Sequence, residues 1–207
     1  MGTQVNDTLG NQQKKSLVIL ASGEGSVAQA LIDASIKLDG ALYHHVEVTR
    51  VITENPQAGI LRRAQEANVP VHVIPFRGGA ERSGWEGQLR TEIDEVNPWL
   101  VVSAGFMKIL SPEFVSSFRI VNTHPSLLPL FPGAHAVRDA LAAGVTQSGC
   151  TLHYIDEGVD TGEIIAQRTL EVLPGESEES LHGRIKELER ELLVTGILGL
   201  ALLEKGM

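Results

Sequence analysis

Short apolar segments alternate with segments of helical spacing along most of the chain, and this alternation restricts the possible folds more than any other feature. The apolar segments are rich in β-branched residues and run for only six to eight positions. Runs of this length predict strands buried on both faces of a parallel sheet. Helices predicted between them would cover both faces. The predicted strands occupy residues 17–22, 45–52, 69–76, 99–104 and 119–124, and the predicted helices 26–38, 59–68, 81–96, 111–118 and 134–143.

The last third of the chain predicts a hairpin and a long helix. Two strand-like segments, 149–155 and 163–172, are joined by a short loop at 156–162, which predicts an antiparallel hairpin at one edge of the sheet. A helix follows over 177–204, with Ser177 as its candidate cap. We therefore predict an α/β fold: an open, mostly parallel, Rossmann-like sheet with helices on both faces, an antiparallel edge hairpin and a long C-terminal helix.

The length of 207 residues fits one such domain, which we predict over residues 16–207. Residues 1–15 are polar and lack the apolar stretch of a signal peptide, so we predict a disordered N-terminal tail. No apolar run reaches the roughly 20 residues that a membrane span needs. The sequence therefore predicts a single domain with no membrane association.

Charge and cysteine content exclude several classes of function. The net charge is −9, which disfavours non-specific binding to nucleic acid or to an anionic membrane. Cys150 is the single cysteine, so neither an intramolecular disulfide nor a multi-cysteine metal site is possible. The histidines are scattered without the spacing of metal ligands, and we predict no metal site. A lone cysteine suits a reducing compartment, so we expect a cytoplasmic protein.

The first predicted strand leads into a glycine loop that opens a helix. Gly23, Gly25 and Ala28 satisfy the pattern GxGxxA, which lets backbone N–H groups approach an anion at a helix N-terminus. A nicotinamide dinucleotide site requires an acidic residue at the end of the second strand, whereas Glu47 lies inside that predicted strand. Ser26 favours a phosphate monoester, because its hydroxyl and its N–H both donate. A tight turn without a ligand is the third interpretation.

An amide and an imidazole stand at the end of the fifth predicted strand. Asn122 and His124 are two positions apart in an extended segment, so their side chains share a face. Such a pair of donors suits a carbonyl oxygen that gains negative charge, and Pro125 would help to hold the strand end rigid. The alternative is a histidine that is hydrogen-bonded for structural reasons only.

The loop between the last two strands is acidic and punctuated by glycine. A carboxylate in this loop, such as Asp160, would stabilise a protonated His124 if the two met. Asp156, Glu157 and Glu163 compete for that role on sequence alone. An ordinary solvated hairpin loop is the simpler interpretation.

Four motifs occur in one order along the chain, and together they identify a family. They are SGEGS at 22–26, AGFMKIL at 104–110, NTHPSLLP at 122–129 and DEGVDTGEIIAQ at 156–167. In these motifs the chain resembles the phosphoribosylglycinamide formyltransferases, folate-dependent enzymes of purine (IMP) biosynthesis and one-carbon metabolism. The resemblance covers roughly residues 16 to 205.

The resemblance implies a reaction and a set of residues for it. The amine of glycinamide ribonucleotide would attack the formyl carbon of the co-substrate 10-formyltetrahydrofolate, through a tetrahedral intermediate and without an acyl-enzyme. Asn122 and protonated His124 would stabilise the oxyanion, and the resemblance selects Asp160 from the four acids as the partner of His124. No metal is implied.

The resemblance also implies two binding sites. The ribonucleotide would be bound by Gly25, Ser26, Val27, Lys186 and Glu189, and the folate by Arg82, Met107, Lys108, Ile109, Leu110 and Asn122. His135 and His153 match histidines close to the reacting groups. Three positions depart from the family pattern, since Glu24 and Val27 replace asparagines, and Lys108 replaces an arginine, that are common in relatives.

Alternative functions remain open at this point. A 10-formyltetrahydrofolate hydrolase keeps the same amide, imidazole and carboxylate but uses water as the acceptor, and it is the main alternative. A dinucleotide-binding module without formyl chemistry is the alternative from another class. The partners that we expect are small molecules, with no nucleic acid and no membrane, in a monomer or a homodimer.

Overall fold

The structure is a computed structural model that describes residues 13–76 and 82–203. Most of the tail predicted over residues 1–15 lies outside these ranges, as do the last four residues of the predicted domain; the first strand begins at Lys15, one position before the predicted boundary. The elements in chain order are β1 (Lys15–Leu20), α1 (Ser26–Ile36), β2 (Val46–Thr53), α2 (Ile60–Glu66), β3 (Val71–Val73), α3 (Arg82–Val96), β4 (Leu100–Ser103), α4 (Pro112–Val115), β5 (Ile120–His124), α5 (Ala136–Ala142), β6 (Gln147–Tyr154), β7 (Ile164–Glu171) and α6 (Glu178–Leu203).

Within the described residues, seven strands form one sheet in the order β3-β2-β1-β4-β5-β6-β7. The pairs from β3 to β5 are parallel, and β6 pairs antiparallel with both β5 and β7. This confirms the predicted mostly parallel sheet with an antiparallel edge hairpin. The chain reverses its strand order between β1 and β4, and in open α/β sheets ligands bind outside the carboxyl ends of the strands at such a point.

Alternate residues of the central strands supply two apolar cores, one on each face of the sheet. Leu17 and Ile19 of β1 belong to a core that includes buried residues of α1, α2, α5 and α6. Val18 and Leu20 belong to the opposite core, which includes buried residues of α3 and α4. Both faces of the strands are buried, which is why the sequence reads as continuous apolar runs rather than as alternation.

The predicted helix caps are present. The Ser111 hydroxyl accepts a hydrogen bond from the Phe114 N–H at the start of α4, with Pro112 as the first helical residue. The Ser177 hydroxyl accepts from the Ser180 N–H, 3.2 Å away, at the start of α6. Among the described helices, none combines the length and the apolar character that crossing a membrane requires.

Candidate active site

Two cavities lie side by side at the carboxyl ends of the central strands, one on each face of the sheet. A cavity of about 240 Å³ contains residues of the glycine loop and α6, and we call it the loop cavity. A cavity of about 160 Å³ contains residues of the 156–160 loop, and we call it the strand cavity. Neighbouring positions of β5 divide between them, because Thr123 lines the loop cavity and Asn122 lines the strand cavity.

The glycine loop presents the N-terminus of α1 to the loop cavity. Gly25 adopts a left-handed conformation with φ of 69°, and a Cβ added there would lie 2.6 Å from the Ile60 Cδ1 atom. No side chain caps α1, so the N–H groups of its first turn are available to a ligand. Ser26 and Val27 line the cavity at this point. The arrangement suits a small anion such as a phosphate monoester.

One face of α6 forms the opposite wall of the loop cavity, where His182, Lys186 and Glu189 lie. Burial raises the pKa of the Glu189 carboxyl to about 7, against the opposing effects of a hydrogen bond with Thr123 and the charge of Lys186. Burial also lowers the pKa of His182, and the nearby Lys186 ammonium adds to this effect. The α6 side of the loop cavity therefore carries one cation, one carboxyl that titrates near neutrality and one imidazole.

In the strand cavity, Asp160 is held between backbone and side-chain groups. Its Oδ2 atom accepts a hydrogen bond from the Gly133 N–H at 2.8 Å and lies 3.3 Å from the His124 Nδ1 atom. The backbone of Asp160 is left-handed, with φ of 55°, a conformation that aspartate tolerates better than most residues. The loop that carries Asp160 is anchored further by Asp156, whose Oδ1 atom accepts from the Thr161 hydroxyl at 2.7 Å.

The His124 ring is buried and both of its nitrogens face an acceptor. Nε2 lies 2.8 Å from the Phe131 carbonyl oxygen, which can only accept, so Nε2 carries a hydrogen. Nδ1 faces the Asp160 carboxylate. Both ring nitrogens therefore face oxygen atoms of the protein. His124 itself does not line the strand cavity, whereas Asn122 and Asp160 do.

His153 orients the Asn122 amide from the neighbouring strand, because the two residues are directly opposite in the β5–β6 ladder. The His153 Nδ1–H donates to the Tyr154 carbonyl at 2.8 Å, which leaves Nε2 as an acceptor for the Asn122 Nδ2–H at 3.3 Å. Burial lowers the pKa of His153, in keeping with this neutral form. One hydrogen of the Asn122 amide is thus fixed, and the other remains for a ligand.

Residues 105–110 separate the two cavities, and we call them the wall segment. Gly105 and Met107 line the loop cavity, while Phe106, Lys108, Ile109 and Leu110 line the strand cavity. Arg82 donates from Nη1 to the Ile109 carbonyl but lines neither cavity. His135 is exposed at the start of α5 and likewise lines neither.

The geometry disfavours the dinucleotide interpretation of the glycine loop. Glu47 pairs in register with Ser16 near the beginning of β1, at the opposite end of the strands from the loop. The acid at the carboxyl end of β2 is Glu54, a buried residue that sequence reasoning missed. Its two carboxylate oxygens face Ser22 and Lys108, so it is not free to bind a ribose. Among the described residues there is no group of three side chains suited to hold a metal ion.

Comparison with known proteins identifies the family. The formyl transferase family model matches residues 15–197. The chain belongs to the formyl transferase family. Family members of known structure share its fold: the phosphoribosylglycinamide formyltransferase of Brucella melitensis is 34% identical, with a TM-score of 0.84 over 91% of this chain and 96% of that one.

Two curated members of the formyl transferase family show how far the similarity extends. A phosphoribosylglycinamide formyltransferase of Mycobacterium tuberculosis is 46% identical over 89% of this chain and 84% of its own length. A trifunctional purine biosynthetic protein of Drosophila melanogaster is 43% identical over 86% of this chain but only 13% of its own length. The first comparison covers most of both proteins, and it is therefore the more informative about function.

Sequence reasoning missed Glu54 and His182 at the candidate site, and it assigned no contact to Ser22. Ser22 belongs to the SGEGS motif, whereas Glu54 lies in none of the four motifs. The contact between them could not be predicted, because it joins strand ends that are far apart in the chain. His182 is four positions before Lys186 on α6, and helical spacing alone places the two on one face. That spacing is the signal by which His182 was predictable.

Proposed function

We propose that the protein transfers the formyl group of 10-formyltetrahydrofolate to the amine of glycinamide ribonucleotide, as a phosphoribosylglycinamide formyltransferase of purine biosynthesis. The observation that carries this proposal is the pair of adjoining cavities in a chain 46% identical to an enzyme of that name. One cavity offers a cradle for a phosphate and the other an amide beside a buried imidazole–carboxylate pair.

We assign the ribonucleotide to the loop cavity. The N–H groups of Gly25, Ser26 and Val27 would bind its phosphate, because no side chain competes for them. Lys186 and Glu189 would meet the phosphate and the ribose from α6. Glu24 is exposed, and an added Cβ at Gly59 would lie 2.5 Å from its Oε2 atom, so its carboxylate is directed toward α2 rather than toward the phosphate.

We assign the formyl folate to the strand cavity. Its planar ring would lie against Lys108, Ile109 and Leu110, with Asn122 at the formyl end. Met107 would contact it only from the loop-cavity side of the wall segment, and Arg82 would lie at the outer side of that segment. Apolar surface with a few placed polar groups is the usual character of such sites. No metal takes part in this proposal.

The chemistry then follows from the groups at the junction of the cavities. The amine attacks the formyl carbon, and the carbonyl oxygen becomes an oxyanion that accepts from the free Asn122 N–H. We infer that His124 exchanges the Phe131 carbonyl for this oxyanion, because a hydrogen bond between two charged groups is stronger than one to a neutral carbonyl. Asp160 holds the imidazolium and passes a proton from the attacking amine, through water, to the departing folate nitrogen.

A single assay tests the proposal against the alternatives. We expect release of tetrahydrofolate from 10-formyltetrahydrofolate only when glycinamide ribonucleotide is present. Release without the ribonucleotide would indicate a hydrolase, which the comparisons do not support, and stabilisation by a reduced nicotinamide cofactor alone would favour the dinucleotide interpretation. We further infer a cytoplasmic enzyme, an inference supported by Cys150, a free and buried thiol.

A further inference from the structure

A carboxylate lies buried just after β2, outside the groups that take part in the proposed reaction. Glu54 is only 8% exposed. Its Oε2 atom accepts a hydrogen bond from the Ser22 hydroxyl at 2.9 Å, and its Oε1 atom lies 3.3 Å from the Lys108 Nζ atom. A buried charge is tolerated when it is paired and hydrogen-bonded, so these two contacts account for its position.

Ser22 connects Glu54 to the wall segment through hydrogen bonds. Its hydroxyl hydrogen is directed to Glu54, so its oxygen accepts from the Met107 N–H at 2.7 Å. The Ser22 N–H in turn donates to the Gly105 carbonyl at 3.2 Å. Three residues of the wall segment, Gly105, Met107 and Lys108, are therefore attached to Ser22 and Glu54 at the ends of β1 and β2.

Apolar packing does not hold the tip of the wall segment. Met107 is 74% exposed and Ile109 is 73% exposed, although both are large apolar residues. The segment also lines both cavities, so a change in its path alters both at once. Phe106 and Leu110, on either side of this tip, pack against the core that includes Val18 and Leu20. Arg82 donates a hydrogen bond to Ile109, and the polar contacts described above fix Met107 and Lys108.

We propose that Glu54 is a positioning residue whose contacts with Ser22 and Lys108 hold the wall segment in the shape that both substrates need. This proposal rests on the proposed function. The Lys108 ammonium is then engaged within the protein, and Lys108 contributes to the folate cavity through its stem and backbone rather than as a free cation. Loss of the carboxylate charge should weaken substrate binding more than it slows the chemical step.

The test uses Glu54→Gln, which keeps the size of the side chain and an acceptor for Ser22 but removes the charge opposite Lys108. We expect the KM values for both substrates to rise by about tenfold, in line with the loss of a hydrogen bond to a charged group. We expect kcat to stay within about threefold, since the residue touches no reacting atom. Unchanged KM values for both substrates would overturn the proposal.

A double-mutant cycle with Lys108→Met identifies the partner. If Glu54 and Lys108 act as a pair, the double variant should bind folate no worse than the weaker of the single variants. Fully additive effects would contradict the pairing. Glu92→Gln is the matched control: Glu92 is ion-paired to Arg50 at 2.7 Å and lines neither cavity, so its loss should lower stability and leave both KM values unchanged.

Amide hydrogen exchange separates this proposal from the proposed function. The Met107 N–H donates to Ser22 and lies next to Lys108 in the chain. Because Glu54→Gln removes the ion pair that holds Lys108, we expect the Met107 N–H to exchange faster in this variant than in the parent chain. If the parent chain transfers no formyl group but exchange at Met107 is faster in Glu54→Gln, the assigned function is wrong and the positioning role of Glu54 stands. If the parent chain is active but exchange at Met107 is the same in Glu54→Gln, the positioning role of Glu54 is wrong and the assigned function stands.

Discussion

Asp160 and His124 come from segments far apart in the chain, and their contact of 3.3 Å is the central feature of the candidate site at the scale of single residues. The carboxylate is fixed by the Gly133 N–H, so it is held in place before any substrate binds. A group fixed in this way stabilises a developing charge without the cost of reorganisation. Asp160 should therefore matter to the transition state more than to the ground state.

Replacing Asp160 with asparagine should lower kcat for formyl transfer by about 10²- to 10⁴-fold, the range typical of a lost acid–base group. The amide keeps the shape of the carboxylate but does not stabilise an imidazolium, so KM should change far less. Steady-state kinetics with both substrates measure the two effects. Glu163→Gln is the control, because Glu163 is exposed and lines neither cavity; a comparable loss in that variant would contradict the assignment.

Glu189 links the candidate site to stability through pH. Burial raises the pKa of its carboxyl to about 7 in the folded chain, above its value in the unfolded chain. The folded state therefore holds a proton that the unfolded state has released, and the free energy of unfolding falls as pH rises through about 7. Between pH 5 and pH 8 we expect the loss to be on the order of 2–3 kcal/mol.

Glu189→Gln isolates this effect, because the amide does not titrate. Urea unfolding at pH 5 and pH 8 should show the parent chain losing stability relative to the variant as pH rises. Other titrating groups, such as His182, are present in both proteins and cancel in the difference. An equal pH dependence of the two proteins would mean that the Glu189 carboxyl titrates normally.

At the scale of elements, α6 combines a solvated surface with a close approach to β6. Gly196 lies so near Leu152 that an added Cβ would collide with the Leu152 side chain, whereas a Cβ at Gly183 meets nothing within 4 Å. Both glycines lie in the interior of the helix. One is needed for packing against the sheet and the other weakens the helix.

The same substitution at the two positions should therefore have opposite effects. Gly183→Ala should raise the free energy of unfolding by about 0.5–1 kcal/mol, the difference in helix propensity between alanine and glycine. Gly196→Ala should lower it by about 1–3 kcal/mol, as overpacking in a core does. Denaturant unfolding measures both, and stabilisation of the chain by Gly196→Ala would contradict the close packing of α6 on β6.

At the scale of the whole molecule, the two cavities adjoin across the wall segment, and no lining residue is common to both. Each ligand should therefore add its own stabilisation by mass action. At a concentration 100 times its dissociation constant, each should add about 2.7 kcal/mol, and the two together about 5 kcal/mol. Glycinamide ribonucleotide with tetrahydrofolate, which carries no formyl group, allows the measurement by thermal or urea unfolding; mutual displacement would contradict two separate sites.

The sequence by itself determined the fold class and the order of the elements. Residues 17–21 are apolar throughout because both faces of the sheet are covered here, and the caps at Ser111 and Ser177 follow from local hydrogen bonding, so both could be predicted. The same locality placed Asn122 and His124 on one face of β5. From the residues alone, however, four acids remained candidates for the partner of His124.

Only the tertiary structure decided which residues meet. The 156–160 loop brings Asp160, and not Glu163, against His124, and the ends of β1, β2 and β4 bring Ser22 and Glu54 to the wall segment. The structure also placed the His124 ring behind the strand cavity rather than in its lining. Contacts of this kind join positions dozens of residues apart, and no local propensity encodes them, because they exist only once the strands are ordered in the sheet.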